Sequence, residues 1–211
     1  MRQAAPYVIT ISRQMGSGGA YIGQQLAGRL GIAYIDREIV QQAAQRLDIS
    51  EKSLASRDEK VTPLWRSMLE TSIYGSPGGY VPPPLNKPTD KELYQAESDI
   101  ILDIARQTSA VIIGRGGFHV LRSMSRHLSV FLHADIDFRQ LRVQELYHLG
   151  SAESRKMVVA SDESRASYRR AMTGGDWTDA RQYHLSLDTG KLGFELVEET
   201  IAAAAHARFD F

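Results

Sequence analysis

The sequence predicts an α/β fold: a doubly wound sheet of about five parallel strands with helices on both faces. Three observations carry that expectation. Short β-rich runs recur along the chain and are separated by segments with helical spacing. The first run, residues 7–11, is apolar throughout rather than alternating, as a strand buried on both faces must be. Between it and the first helical segment lies a polar, glycine-rich stretch, residues 12–19, at the carboxyl end of a strand, where open parallel sheets place their ligands.

The elements follow in order. Pro6 and the glycine-rich stretch bound the first strand. Ile22, Leu26 and Leu30 recur every four residues, and Gly31 is a helix stop. A second strand covers 32–35, and a second helix carries Ile39, Val40, Ala43 and Leu47. Residues 74–90 hold five of the seven prolines and three glycines, which makes them a long loop inside the domain. Thr89 or Asp90 caps a helix reaching about Gln107, with Leu93, Ala96, Ile100 and Ile104 on one stripe. Residues 110–113 form a third strand, a short helix follows, and 128–132 form a fourth. Residues 136–149 are helical, 151–173 form a polar, arginine-rich helix, 184–187 form the last strand, and Phe194, Val197, Ile201 and Ala205 mark a closing helix.

Composition narrows the function. The chain of 211 residues fits one domain. Lys and Arg number 25, as do Asp and Glu, so the surplus of positive charge that a general nucleic-acid binder needs is missing. With no cysteine, disulfides, thiolate catalysis and cysteine-ligated metals are excluded. No apolar run is long enough to cross a membrane and no secretory signal precedes the first strand, so a cytoplasmic location is expected by default. The oligomeric state is not legible.

The loop after the first strand reads as a phosphate site. Its glycines leave room for an anion against backbone N–H groups, and the following helix N-terminus adds positive dipole. Two nucleotide motifs compete for it. The dinucleotide fingerprint, tried on Gly16, Gly18 and Tyr21, meets a bulky ring at its last glycine and a loop too wide, although Asp36 lies 20 residues beyond Gly16. The P-loop pattern fits in length. It places Arg13 at its first glycine, Gly19 at its lysine and Ala20 at its hydroxyl residue, so its identities fail. The spacing of His133, Asp135 and Asp137 invites a metal, but one of the two aspartates capping the next helix is the simpler reading. Trp65, Trp177 and Phe118 are packing residues.

The segment 9–19, reading Ile-Thr-Ile-Ser-Arg-Gln-Met-Gly-Ser-Gly-Gly, resembles the opening of the cytidylate kinase-like family, P-loop relatives of nucleoside monophosphate kinases. The resemblance continues in Tyr34-Ile35-Asp36-Arg37-Glu38, in 111–116 with its Gly114-Arg115, in 130–134, in 162–169 and in 175–193. It spans nearly the whole chain except the proline-rich insert. It implies a P-loop kinase fold, and transfer of a phosphoryl group from ATP with Mg²⁺ to a nucleoside monophosphate-like acceptor. It implies triphosphate binding by Gly16, Ser17, Gly18, Gly19, Ala20 and Tyr21, with Arg13 in place of the missing lysine. Arg165 and Arg169, four apart on one helix face, become a lid over the transferred phosphate, oriented by Asp162. Asp36, Arg37 and Arg115, at strand ends, become acceptor ligands. Gly116 stands where true cytidylate kinases carry an aspartate that helps recognise the nucleoside, so the resemblance implies phosphoryl transfer more firmly than it implies CMP as acceptor. A nucleotide-binding regulatory protein without turnover is the alternative, and a dinucleotide-dependent oxidoreductase is a third reading.

Overall fold

The computed structural model describes residues 5–36, 40, 91–114 and 116–210, with side chains at the start of the 91–107 helix placed from Tyr94 onward. The insert 74–90, the helix expected around Ala43 and Leu47, the caps Thr89 and Asp90, Trp65, Arg37 and Arg115 lie outside the described residues.

The elements run β1 (Val8–Arg13), α1 (Gly19–Leu30), β2 (Ala33–Ile35), α2 (Lys91–Gln107), β3 (Ala110–Ile113), α3 (Gly117–Val120) and β4 (His127–His133). There follow α4 (Ile136–Tyr147), α5 (Ser151–Thr173), a 3₁₀ turn (Ala180–Gln182), β5 (Leu185–Asp188), α6 (Thr189–Leu192) and α7 (Phe194–Phe209). The five strands lie in the order β2-β3-β1-β4-β5, and every neighbouring pair is parallel. The predicted fold class is the observed one.

The apolar run of β1 explains the layering. Successive side chains of a strand point to opposite faces. Ile9 and Ile11 join Val111, Ile113, Val130 and Leu132 beneath α1 and α7, where Ile22, Leu26, Val197, Ile201 and Ala205 close the layer. Val8 joins Ala110, Ile112, Ala33 and Ile35 beneath Ile100, Ile101 and Ile104 of α2. Each fully buried isoleucine or leucine contributes roughly 1.5–3 kcal/mol against exposure, so both faces are needed to hold the sheet. Gly31 ends α1 at φ 63°, as its sequence position predicts.

Two expectations shift. β1 extends two residues beyond the apolar run, because Ser12 and Arg13 continue the ladder opposite Phe131 and Leu132. Arg13 is therefore the last residue of a strand, not a member of the loop. Asp135 takes the N-cap position of α4, yet its side chain caps nothing. It lies 3.4 Å from Lys191, and Asp137 pairs with Arg155 at 2.9 Å. Among the described residues no group of three or more His, Asp or Glu side chains is arranged for a metal, and no helix is long and apolar enough to cross a membrane. Trp177 and Phe118 do pack, with Phe131 and Tyr183, into an aromatic cluster at the carboxyl end of the sheet.

Candidate nucleotide site

The loop between β1 and α1 is fixed from beneath by its own polar residues. The Gln14 N–H donates to the carbonyl of Leu132 at 3.0 Å, and Gln14 Oε1 accepts from the Ala134 N–H at 3.3 Å. The buried Ser17 hydroxyl donates to the carbonyls of Gln14 (2.8 Å) and Leu132 (3.3 Å). Gly16 and Gly18 have φ near +80°, which a side chain disfavours. A Cβ on Gly16 would also fall 2.5 Å from the Arg139 carbonyl, so the loop lies directly on α4.

Arg139 was not singled out by the sequence, and it is the main clamp on the loop. Its buried guanidinium donates to the carbonyls of Ala134 (2.8 Å, from Nε) and Met15 (3.2 Å, from Nη1), and to Asp162 Oδ2 (2.6 Å). The Met15 N–H donates to Asp162 Oδ1 at 3.2 Å. Asp162 thus ties α5 to the loop and to α4. It stands 3.6 Å from Arg165, while Arg169 meets Gln182 and the Phe118 ring instead. Val143 of α4 and Val158 of α5 pack on Met15 behind this network.

With the loop held, the start of α1 is left open. No side chain caps it and its first turn holds no acid, so its leading N–H groups and the helix dipole face outward. Ala20 is half-buried in this first turn, and Tyr21 carries its ring outward, 49% exposed, 5.9 Å from the ring of Phe194. Arg142 lies 4.3 Å above the Phe194 ring, and Phe194 presses on Gly18. The Arg13 side chain runs past Gly19 to Gly114. Among the described residues its guanidinium makes no hydrogen bond or ion pair.

Arg165 and Arg169 separate in the structure. Arg165 stays beside Asp162 and donates to Ser161 at 2.5 Å. Arg169 lies on the face of Phe118 at 4.6 Å, where it is only 6% exposed. Its Nη2 donates to Gln182 Oε1 at 2.6 Å, and Gln182 is held in turn by the carbonyl of Asp176 at 3.0 Å. Its Nε and Nη1 are buried with no partner among the described residues. Burial lowers its affinity for the proton, yet guanidinium stays charged. Burial, Arg169 and Arg122 together push neighbouring His119 down to about 4. The surroundings of Arg169 are therefore short of negative charge. Gln182 and His119 carried no sequence signal, because nothing in the spacing places them beside residue 169.

Asp36 follows β2 directly, half-buried, and its carbonyl accepts the Val40 N–H at 3.3 Å. It lies at the same carboxyl edge of the sheet as Gly114 and the loop.

A family model described as the cytidylate kinase-like family matches residues 8–191. No curated protein matches the sequence. Among solved structures, the chain is similar to an uncharacterized protein from Eubacterium ventriosum, with TM-score 0.72, 20% identity, and 96% and 99% of the two chains covered. It also resembles a shikimate kinase from Bacteroides thetaiotaomicron (TM-score 0.50, 15% identity, 97% and 99% covered). A third similar structure is TT1252 from Thermus thermophilus (TM-score 0.51, 15% identity, 96% and 98% covered). At these identities the structures establish a shared fold.

Proposed function

The chain belongs to the cytidylate kinase-like family, and from that premise we propose that it transfers the terminal phosphoryl group of a nucleoside triphosphate to a nucleoside monophosphate-like acceptor. The observation that carries this reading is a pair of arginines with unmatched donors beside the turn that follows β3. Arg13 reaches Gly114 from the loop side. Arg169 covers Phe118 of α3 with two donors unmatched. Phosphoryl transfer needs positioning and cations around spreading negative charge, and little else from the protein.

The donor's β- and γ-phosphates lie on the backbone N–H groups of residues 16–21, with the helix dipole beneath them. The acceptor's phosphate meets Arg169 together with Arg37 and Arg115, and Asp36 accepts a hydrogen bond from the acceptor's neutral groups. Arg165, held beside Asp162, closes over the transferred group. An ionised acceptor oxygen forms a bond to the γ-phosphorus as the bond to the bridging oxygen breaks, and the electron pair leaves on the diphosphate product, so no proton needs removal from a phosphate acceptor. Mg²⁺ belongs to the substrate as the magnesium chelate of the triphosphate. Among the described residues no group of three or more His, Asp or Glu side chains is arranged to hold it, and Ala20 has no hydroxyl to offer. Such a reaction is cytoplasmic chemistry.

The second reading, a nucleotide-binding regulator without turnover, is favoured by that same lack of a hydroxyl and by Gly19 in the lysine position. ATP consumption measured with CMP, UMP, AMP, GMP and shikimate as acceptors separates the two. We expect one monophosphate to raise ADP release at least about 100-fold over buffer, within the range that positioned phosphate cations supply. MgATP binding with no acceptor-dependent turnover supports the regulator. Absence of triphosphate binding removes both.

A further inference from the structure

Gly19 and Arg13 are not two separate departures from a P-loop. A Cβ built on Gly19 would lie 2.7 Å from Arg13 Cβ and 2.7 Å from Arg13 Cγ. The Cβ of Arg13 is fixed by the backbone of β1 and cannot swing away, so no side chain fits at residue 19 while residue 13 carries one. Beyond Gly19 the Arg13 stem continues to Gly114, where an added Cβ would fall on Arg13 Nη1. Gly114 is anchored by its N–H to the Ile11 carbonyl at 3.0 Å, directly after β3. Glycine at both positions opens one channel, and the Arg13 side chain fills it from strand to strand.

We propose that the cation of this phosphate loop has exchanged places: Arg13 at the end of β1 occupies the volume that a side chain at residue 19 would need, and delivers its guanidinium to the terminal phosphate from the β3 side. The proposal rests on the phosphoryl-transfer reading above for its ligand, but its steric half stands apart from it. A lysine at the helix start would approach the donor phosphates from the helix. Arg13 instead emerges between β1 and β3, beside the turn that leads to Phe118 and Arg169. It therefore stands between donor and acceptor, where its planar fork can span oxygens of both. A single ammonium placed farther back could not.

A cycle of variants tests this with two independent readouts. Melting temperature reads the volume. Gly19→Ala destabilises the wild-type background, and the same change in an Arg13→Gly background is neutral or stabilising, since alanine is the better helix former. Equal effects of Gly19→Ala in both backgrounds would overturn the shared-volume claim.

Nucleotide binding and turnover read the cation. Arg13→Gly lowers turnover about 100-fold or more, in line with loss of a transition-state cation, while MgATP still binds through the loop backbone. The double variant Arg13→Gly/Gly19→Lys regains at least about tenfold of that loss, because it rebuilds the ordinary loop. Full activity of Arg13→Gly, or a double variant no better than Arg13→Gly, would overturn the functional half. If wild type neither binds MgATP nor phosphorylates any acceptor, the kinase reading and this functional half fail together, and the melting data still decide the steric half.

Discussion

His127 shows how a single residue can carry a pH limit on the fold. Its imidazole is buried against the Thr10 hydroxyl at 2.8 Å, beside His184. Burial, then the neighbouring His184, pushes it down to about 4 from an ordinary 6.5, although the Leu121 backbone favours the charged form. The unfolded chain therefore takes up a proton near pH 6.5 that the folded chain refuses until about pH 4. Stability is fully present above 6.5 and is lost as pH falls toward 4, by on the order of 3 kcal/mol from this residue. The melting temperature should fall steadily from pH 7 to pH 4.5. His127→Gln should be less stable at pH 7 and show a shallower slope. A slope identical to wild type would show that the drop comes from elsewhere, His119 first. None of this is legible in the sequence, where His127 looks like a polar start to a strand. Arg139 was invisible for a related reason: its importance comes from meeting Met15 and Asp162, which are distant in the chain. Arg13, Gly16 and Gly18 were visible, because the loop's chemistry is written in consecutive residues.

At the scale of elements, the strands were readable because burial on both faces leaves an unbroken apolar signature, as in β1 and β3. Their ends were not. β1 reaches Arg13 because a partner strand supplies hydrogen bonds, and that partner is more than a hundred residues away. The extent of helix α5 was readable too, but its division of labour was not. A run of arginines on one helix predicts a single lid. The structure adds that Asp162 anchors the helix at the loop and that Arg169 lies on the face of Phe118 in the aromatic cluster. Asp162 is the element's fixed point. Removing one partner of a largely buried ion pair leaves the other charge uncompensated. Asp162→Ala should thus cost about 3 kcal/mol and also free the Met15 N–H, loosening the phosphate loop. Denaturant unfolding would give the first number, and calorimetry with MgATP should show affinity weakened along with it. Lost stability with unchanged affinity would confine Asp162 to the scaffold.

The order β2-β3-β1-β4-β5 is a property of the whole molecule that no local run of residues reveals. It puts β1 at the centre, with β3 on one side and β4 on the other, so chain connections diverge from its carboxyl end and leave a crevice there. The phosphate loop, the 114–117 turn, α5 and Asp36 all meet at that edge. A ligand bound there touches elements from both halves of the chain and stabilises them together. Saturation with MgATP at about 100 times its dissociation constant should add about 2.7 kcal/mol. For a domain of this size that raises the melting temperature by about 5–10 °C. A monophosphate acceptor should add its own increment on top, because Arg169 has donors left unmatched that the triphosphate on the loop does not need. Adenosine, which has the base without the phosphates, should add little. A hold on the triphosphate that is electrostatic and made through backbone N–H groups, as proposed for this loop, predicts that the shift shrinks as salt rises from 50 to 500 mM. An adenosine shift equal to that of MgATP would move the recognition from the glycine loop to the exposed Tyr21 ring and the half-buried Phe194 ring beside it, and a base-stacking platform would then replace the anion cradle as the centre of the site.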